Sequence, residues 1–174
     1  MGCHGVFSIC QIGFLCEMLA YTPKGGYVDC LHFTIVGTRA KMEEIADIAY
    51  DAAARASSPL MKFCTESKAR GVDIIYRGAP SMLIASIDLK KAIAGCETVD
   101  PIIALSYADL HAQSLGLGTL WDDCAYFAGK ELPQVLEAYQ IPEGYTLSFV
   151  LLLGIPAVKY RRTVQKTLEH VTIL

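Results

Sequence analysis

Three short clusters in this chain of 174 residues carry side chains, or bare backbone, that could meet a ligand. Gly116, Leu117, Gly118 and Thr119, followed by Trp121, set two positions without a side chain beside an indole. Backbone of that kind lets N–H groups approach a flat ring or an anion closely. Pro23, Lys24, Gly25 and Gly26 make a second cluster, a turn by composition, ahead of an apolar segment. Lys159, Tyr160, Arg161 and Arg162 make a third, in which arginine offers bidentate contacts to phosphate. Each has a plain structural reading as well: a glycine helix cap, a surface turn, and a solvated basic strand end.

Other chemistries lack their residues. No G-x-S-x-G elbow is present, and Ser106 and Ser114 fall inside a segment that reads as a buried helix. The histidines are His4, His32, His111 and His170, none with an H-x-x-x-H partner, so zinc-hydrolase signatures are absent. His32 falls in a strand pattern and reads as a satisfied, half-buried histidine. Neither G-x-G-x-x-G after a strand nor a P-loop occurs. The seven cysteines are Cys3, Cys10, Cys16, Cys30, Cys64, Cys96 and Cys124, with no C-x-x-C pair. That pattern favours free thiols in a reducing compartment, hence the cytoplasm. Cys3, Cys10, Cys16 and Cys30 leave a thiol or metal site near the start as a minor alternative.

The elements that must carry these clusters follow from periodicity. Residues 100–121, DPIIALSYADLHAQSLGLGTLW, read as one helix ending in a Gly-Leu-Gly turn, capped by Thr98 or Asp100, with Pro101 in its first turn. Ile102, Ile103, Leu105, Tyr107, Leu110 and Leu115 spread around its circumference, so it should be buried on nearly all sides. A dimer core is the natural home for such a helix. Upstream, residues 7–20 read as a helix and 31–36 (LHFTIV) as a strand. Thr38 caps a helix over 39–55 with a stripe of Met42, Ile45, Ala46, Ala49 and Ala53. Residues 59–72 are mixed. Residues 81–87 (SMLIASI) read as a strand buried on both faces. A short helix is expected at 89–95 and another at 132–139, then strands at 146–153 and 171–174. Helices alternating with strands indicate an α+β or α/β sheet protein.

Composition narrows the class. Hydrophobic residues are 53% and charged residues 19%, with mean hydropathy +0.36 and net charge −3. Such a chain folds, carries surplus apolar surface that suits an oligomer, and shows no electrostatic footprint for nucleic acid. Its apolar runs fall short of the roughly 20 residues that span a bilayer. The opening MGCHGVF has no basic stretch for a signal peptide, and Val6 stands where a myristoylation motif wants Ser or Thr.

In this order, the clusters resemble the nitroreductase family of FMN-dependent oxidoreductases. The resemblance covers about residues 17–166 and is most specific in IALSYADLHAQSLGLGTLW. LAYTPKGGYVDCLHFTIVGT is similar to the family's loop and first strand. RGAPSMLIAS is similar to the strand before the central helix, and IPEGYTLSFVLLLGIPAVKYRRTVQK to the C-terminal strand and basic tail.

The resemblance implies a three-layer α+β fold over residues 1–174, with an atypical start over about 1–16. Its central, mostly antiparallel sheet is flanked by helices, and the long central helix lies at a homodimer interface. It implies FMN at that interface and a ping-pong cycle, in which NAD(P)H reduces the flavin and the flavin reduces a nitroaromatic, quinone or similar acceptor. By the same resemblance Pro23, Lys24 and Gly25 lie by the isoalloxazine and Arg162, with Lys159, holds the phosphate. Gly116, Leu117, Gly118, Thr119 and Trp121 line the cofactor, and backbone at Asp122 and Asp123 points at the ring. No side-chain acid or base is required, and no metal.

Three departures bear on activity. The family's R-R-S-x-R motif is missing, since the first arginine is Arg39. Tyr27 stands at the loop asparagine, and Asp123 where glycine is common. Two lost phosphate contacts at about 1.5–3 kcal/mol each weaken binding by roughly a hundredfold or more. The alternative reading is therefore a non-catalytic or truncated relative with weak flavin binding.

Overall fold

Four strands form the frame: β1 (Leu31–Val36), β2 (Ser81–Asp88), β3 (Gly118–Trp121) and β4 (Tyr145–Gly154). The computed structural model describes residues 9–158 together with 161 and 172, and the side chains from residue 11 onward. The expected strand at 171–174 lies outside the described residues, apart from Thr172, as do Lys159 and Arg162.

The sheet order is β1-β2-β4-β3 and every pairing is antiparallel. β1 runs against β2 from Leu31↔Ile87 to Val36↔Met82, and β3 against β4 from Gly118↔Gly154 to Trp121↔Leu151. In β2 the first seven residues are all buried, as an unbroken apolar run requires. The strand's two-residue period then sorts its side chains. Met82 and Ile84 enter one core with Val150 and Leu152 of β4, while Leu83 and Ala85 enter another with Leu151 and Leu153.

Helices cover both faces. α1 (Ile9–Ala20) and the central α4 (Val99–Ser114) close the second core. α2 (Arg39–Ala53), α3 (Pro59–Ala69), α5 (Asp123–Glu131) and α6 (Pro133–Ala138) close the first. The result is a three-layer α+β arrangement. Thr38 caps α2 by accepting the Lys41 N–H, and Met42, Ile45, Ala49, Ala52 and Ala53 form its buried stripe.

The sequence reading needs correction at several points. No helix forms over 89–95. There the Asp88 side chain accepts from the Lys90 N–H, and its carbonyl from Lys91 and Ala92, which folds the segment into turns. The mixed segment after Pro59 is helical as α3, with proline in its first turn. β3 and α5 were not anticipated. α4 is not covered all round within one chain: Ala104, Leu105, Ala108 and Ala112 are buried, but Ile102, Tyr107 and Leu110 are 40%, 48% and 69% exposed. Ser114 is exposed as well. Among the described residues, α1 and the sheet are the elements that pack on this helix.

Candidate functional site

Asp100 organises the first cluster. It sits in the first turn of α4, where the helix macrodipole favours a carboxylate, and it is buried. Both of its oxygens accept the Gly25 N–H at 3.0 Å. It thus anchors the loop before β1 and leaves the role of N-cap to Thr98, which makes no side-chain cap bond. A Cβ at Gly25 would lie 2.6 Å from Cys96 Sγ, so any side chain there would force Cys96 to shift. A 3-10 turn over Gly25–Tyr27 follows, with Gly26 and Tyr27 at positive φ and the Tyr27 ring in solvent. Lys24 Nζ is 3.2 Å from Asp29 Oδ1. Beside this pair lies a cleft of about 300 Å³ lined by Cys16, Leu19, Lys24, Asp29, His32 and Phe33. His32 is half-buried and edge-on to the Tyr145 ring at 5.7 Å. Its buried Nδ1, read as satisfied from sequence, has no hydrogen-bond partner among the described residues.

The glycine turn does structural work. Gly116, at φ +75°, ends α4 in a Schellman motif: the Gly116 N–H bonds to the Gln113 carbonyl and the Leu117 N–H to that of Ala112. Leu117 is buried in the α1–α4 core. Gly118 opens β3, where a Cβ would come 3.1 Å from Pro156 Cγ. Thr119 and Trp121 both turn their polar atoms to Asp109 of α4. The Thr119 hydroxyl donates to Oδ1, and Trp121 Nε1 donates to Oδ2 at 3.1 Å. The indole also packs on Phe149, centroids 5.5 Å apart. Asp109 is the residue that sequence reasoning missed. A carboxylate in an apolar helix must find donors, and Thr119 and Trp121 of β3 supply them.

Asp122 and Asp123 differ sharply. Asp122 is buried and caps α5, its Oδ1 accepting the Ala125 N–H at 2.8 Å. Its Oδ2 has no hydrogen-bond partner among the described residues, although Arg77 Nε stands 3.7 Å away. Burial pushes this carboxyl up to about 6, against the pull of the Ala125 N–H and Arg77. Arg77 itself is held at φ +54° in a turn fastened by Asp73, which accepts from the N–H groups of Tyr76 and Gly78 and from the Tyr50 hydroxyl at 2.6 Å. Burial works against the Asp73 carboxylate, but those bonds together outweigh it and hold it below its ordinary range. Asp123 is exposed at the start of α5, where a helix has no internal acceptor to offer its N–H.

Within one chain these groups do not converge. The loop of Pro23, Lys24 and Gly25 leads into β1 at one edge of the sheet, while Trp121, Asp122 and Asp123 end β3 at the other. Three strand spacings separate those edges, about 14 Å. Their anchors Asp100 and Asp109 are nine residues apart on α4, again about 14 Å.

No model of a protein family matches the chain, and no curated protein matches its sequence. Solved structures do match. A nitroreductase with bound FMN from Bacteroides fragilis is 22% identical over 100% of this chain and 94% of its own, with a TM-score of 0.78. A nitroreductase with bound FMN from Desulfitobacterium hafniense is 20% identical over 99% and 93%, with a TM-score of 0.74. A BluB-like flavoprotein from Clostridium difficile is 20% identical over 100% and 94%, with a TM-score of 0.70. Likeness of fold over whole chains, at TM-scores of 0.70 to 0.78, gives this protein a nitroreductase-like fold.

Proposed function

We propose that the chain is an FMN-dependent oxidoreductase of nitroreductase type, working as a homodimer. It takes reducing equivalents from NAD(P)H and passes them to a nitroaromatic, quinone or similar acceptor. The observation that carries this reading is the full-length likeness of fold to nitroreductases whose structures contain FMN.

The residues present fit such a cofactor if two copies supply it. Pro23, Lys24 and Gly25 of one copy would meet Trp121, Asp122 and Asp123 of the other, which accounts for two halves of a site on opposite sheet edges. The exposed Ile102, Tyr107 and Leu110 of α4, with Leu120, supply the apolar surface for that contact. At the start of α5 the Asp123 N–H is a donor without an internal acceptor, suited to a ring nitrogen or oxygen. Lys159 and Arg162 would hold the phosphate.

FMN supplies the hydride chemistry when bound. The chain's own contribution is position. Asp100 fixes the loop by taking the Gly25 N–H, and Asp109 fixes the Trp121 ring by taking its N–H. Asp123 adds an exposed negative charge at the start of α5, which would disfavour anionic acceptors there. Among the described residues no helix is long and apolar enough to cross a membrane. The described cysteines are free thiols, which supports a reducing compartment such as the cytoplasm.

The test is turnover. Purified dimer with added FMN should oxidise NADH or NADPH only when a quinone or nitroaromatic is present. A folded dimer that oxidises neither with any acceptor of these classes overturns the proposal.

A further inference from the structure

The indole held by Asp109 is the first ring of a row. Phe149 of β4 lies against Trp121 with centroids 5.5 Å apart, and Tyr126 of α5 stacks on Phe149 at 5.1 Å with the planes 21° apart. A single ring thus separates the indole from the phenol. All three side chains are half-buried, so both ends of the row meet solvent. Lys130 Nζ stands 5.6 Å from the Tyr126 ring centroid, and Trp121 Nε1 donates to Asp109 Oδ2 at 3.1 Å. Indole and phenol both give up one electron readily when a base takes the proton that leaves with it. Asp109 is such a base, already hydrogen-bonded to the indole.

We propose that Trp121, Phe149 and Tyr126 form a relay that moves a one-electron oxidising equivalent from the indole to the phenol on α5. A one-electron oxidant such as a peroxyl radical takes an electron from Trp121 and becomes a peroxide anion. The indole radical cation gives its Nε1 proton to Asp109 Oδ2 along the existing hydrogen bond. Tyr126 then passes an electron through the Phe149 ring to the indolyl radical, and Asp109 returns the proton to the indole nitrogen. The phenol loses its own proton to water. The oxidant has gained one electron, a tyrosyl radical remains on α5, and Trp121 and Asp109 are as they began. A soluble thiol restores Tyr126 by giving it one hydrogen atom and becomes a thiyl radical.

The surroundings set the direction. A radical cation at Tyr126 would repel the Lys130 ammonium that its ring now attracts, so electron and proton leave the phenol together. The neutral tyrosyl radical that results is more stable than the neutral indolyl radical. The relay thereby spares the chain's only tryptophan from oxidation. Its value to a flavin beside Trp121 rests on the function proposed above, whereas the transfer itself does not.

Pulse radiolysis of the folded full chain with azide radicals tests the relay, because these radicals oxidise tryptophan ahead of tyrosine and the chain has one tryptophan. The indolyl absorption should decay as the tyrosyl absorption rises, at a rate independent of protein concentration. In Tyr126→Phe, which keeps the ring stack, that conversion should be lost and the indolyl radical should persist. In Phe149→Leu it should slow. Decay of the indolyl radical without tyrosyl growth overturns the proposal. So does conversion that is unchanged in Tyr126→Phe, which would assign the electron to another of the nine tyrosines. Tyr126→Phe decides alone if Phe149→Leu fails to fold. The measurement needs neither FMN nor turnover, so failure here is distinct from failure of the proposed activity.

Discussion

Replacing Asp122 with asparagine changes one atom of a buried group and should invert part of the protein's pH dependence. The carboxyl rises from its ordinary 3.8 to about 6, chiefly through burial. The native state therefore binds this proton more tightly than the unfolded chain does. Its contribution to stability is fully present below about pH 4 and is lost as pH rises through about 6. That rise corresponds to about 3 kcal/mol, roughly half of it developed by pH 5 and nearly all by pH 8. Asparagine keeps an oxygen for the Ala125 N–H, since the two residues cap helices about equally well. It cannot ionise, so it escapes the cost. Its amide nitrogen sits where Oδ2 had no partner, which shifts both ends of the pH range equally. Urea unfolding of the two proteins from pH 4.5 to 8 measures the difference directly. Asp122→Asn should gain on wild type by about 2 kcal/mol across that range. Asp73, whose carboxyl is held low and whose stabilisation is lost toward acid, cancels between the two proteins. A difference that is flat with pH, or that grows toward acid, refutes the burial argument.

Three further changes test the anchors. Asp100→Ala strands the Gly25 N–H and should cost about 1–3 kcal/mol, with Asp100→Asn recovering much of it; equal stability of all three in urea would contradict the assigned contact. Asp109→Ala removes the acceptor for Thr119 and Trp121. It should cost about 2–3 kcal/mol and shift the emission of the only tryptophan to longer wavelength, so an unchanged spectrum argues against the contact. Gly116→Ala meets no atom within 4 Å, so its cost of about 1–2 kcal/mol comes from positive φ alone. Unfolding in urea should show that loss with an unchanged slope.

Long periodic segments were legible in the sequence. β1 falls at Leu31–Val36 as its β-branched and aromatic run indicates, and Thr38 caps α2 where a hydroxyl precedes the apolar stripe. β3 was not legible, because four residues carry too little pattern and owe their strand form to pairing with β4. α5 opens on two aspartates and mixes tyrosine, glycine and alanine, so only its cap and its packing on β4 define it. At the site, the residue types were visible but not their obligations. Nothing local says that Asp100 reaches back to Gly25, or that Asp109 holds both Thr119 and Trp121. Sequence order likewise conceals that the loop and the end of β3 sit on opposite sheet edges.

The central claim is that the fold serves FMN, and a visible absorption spectrum with an FMN titration tests it most directly. Purified protein should show a flavin spectrum, or take up FMN saturably at one per chain with a perturbed flavin band. A folded dimer that takes up none would contradict the claim.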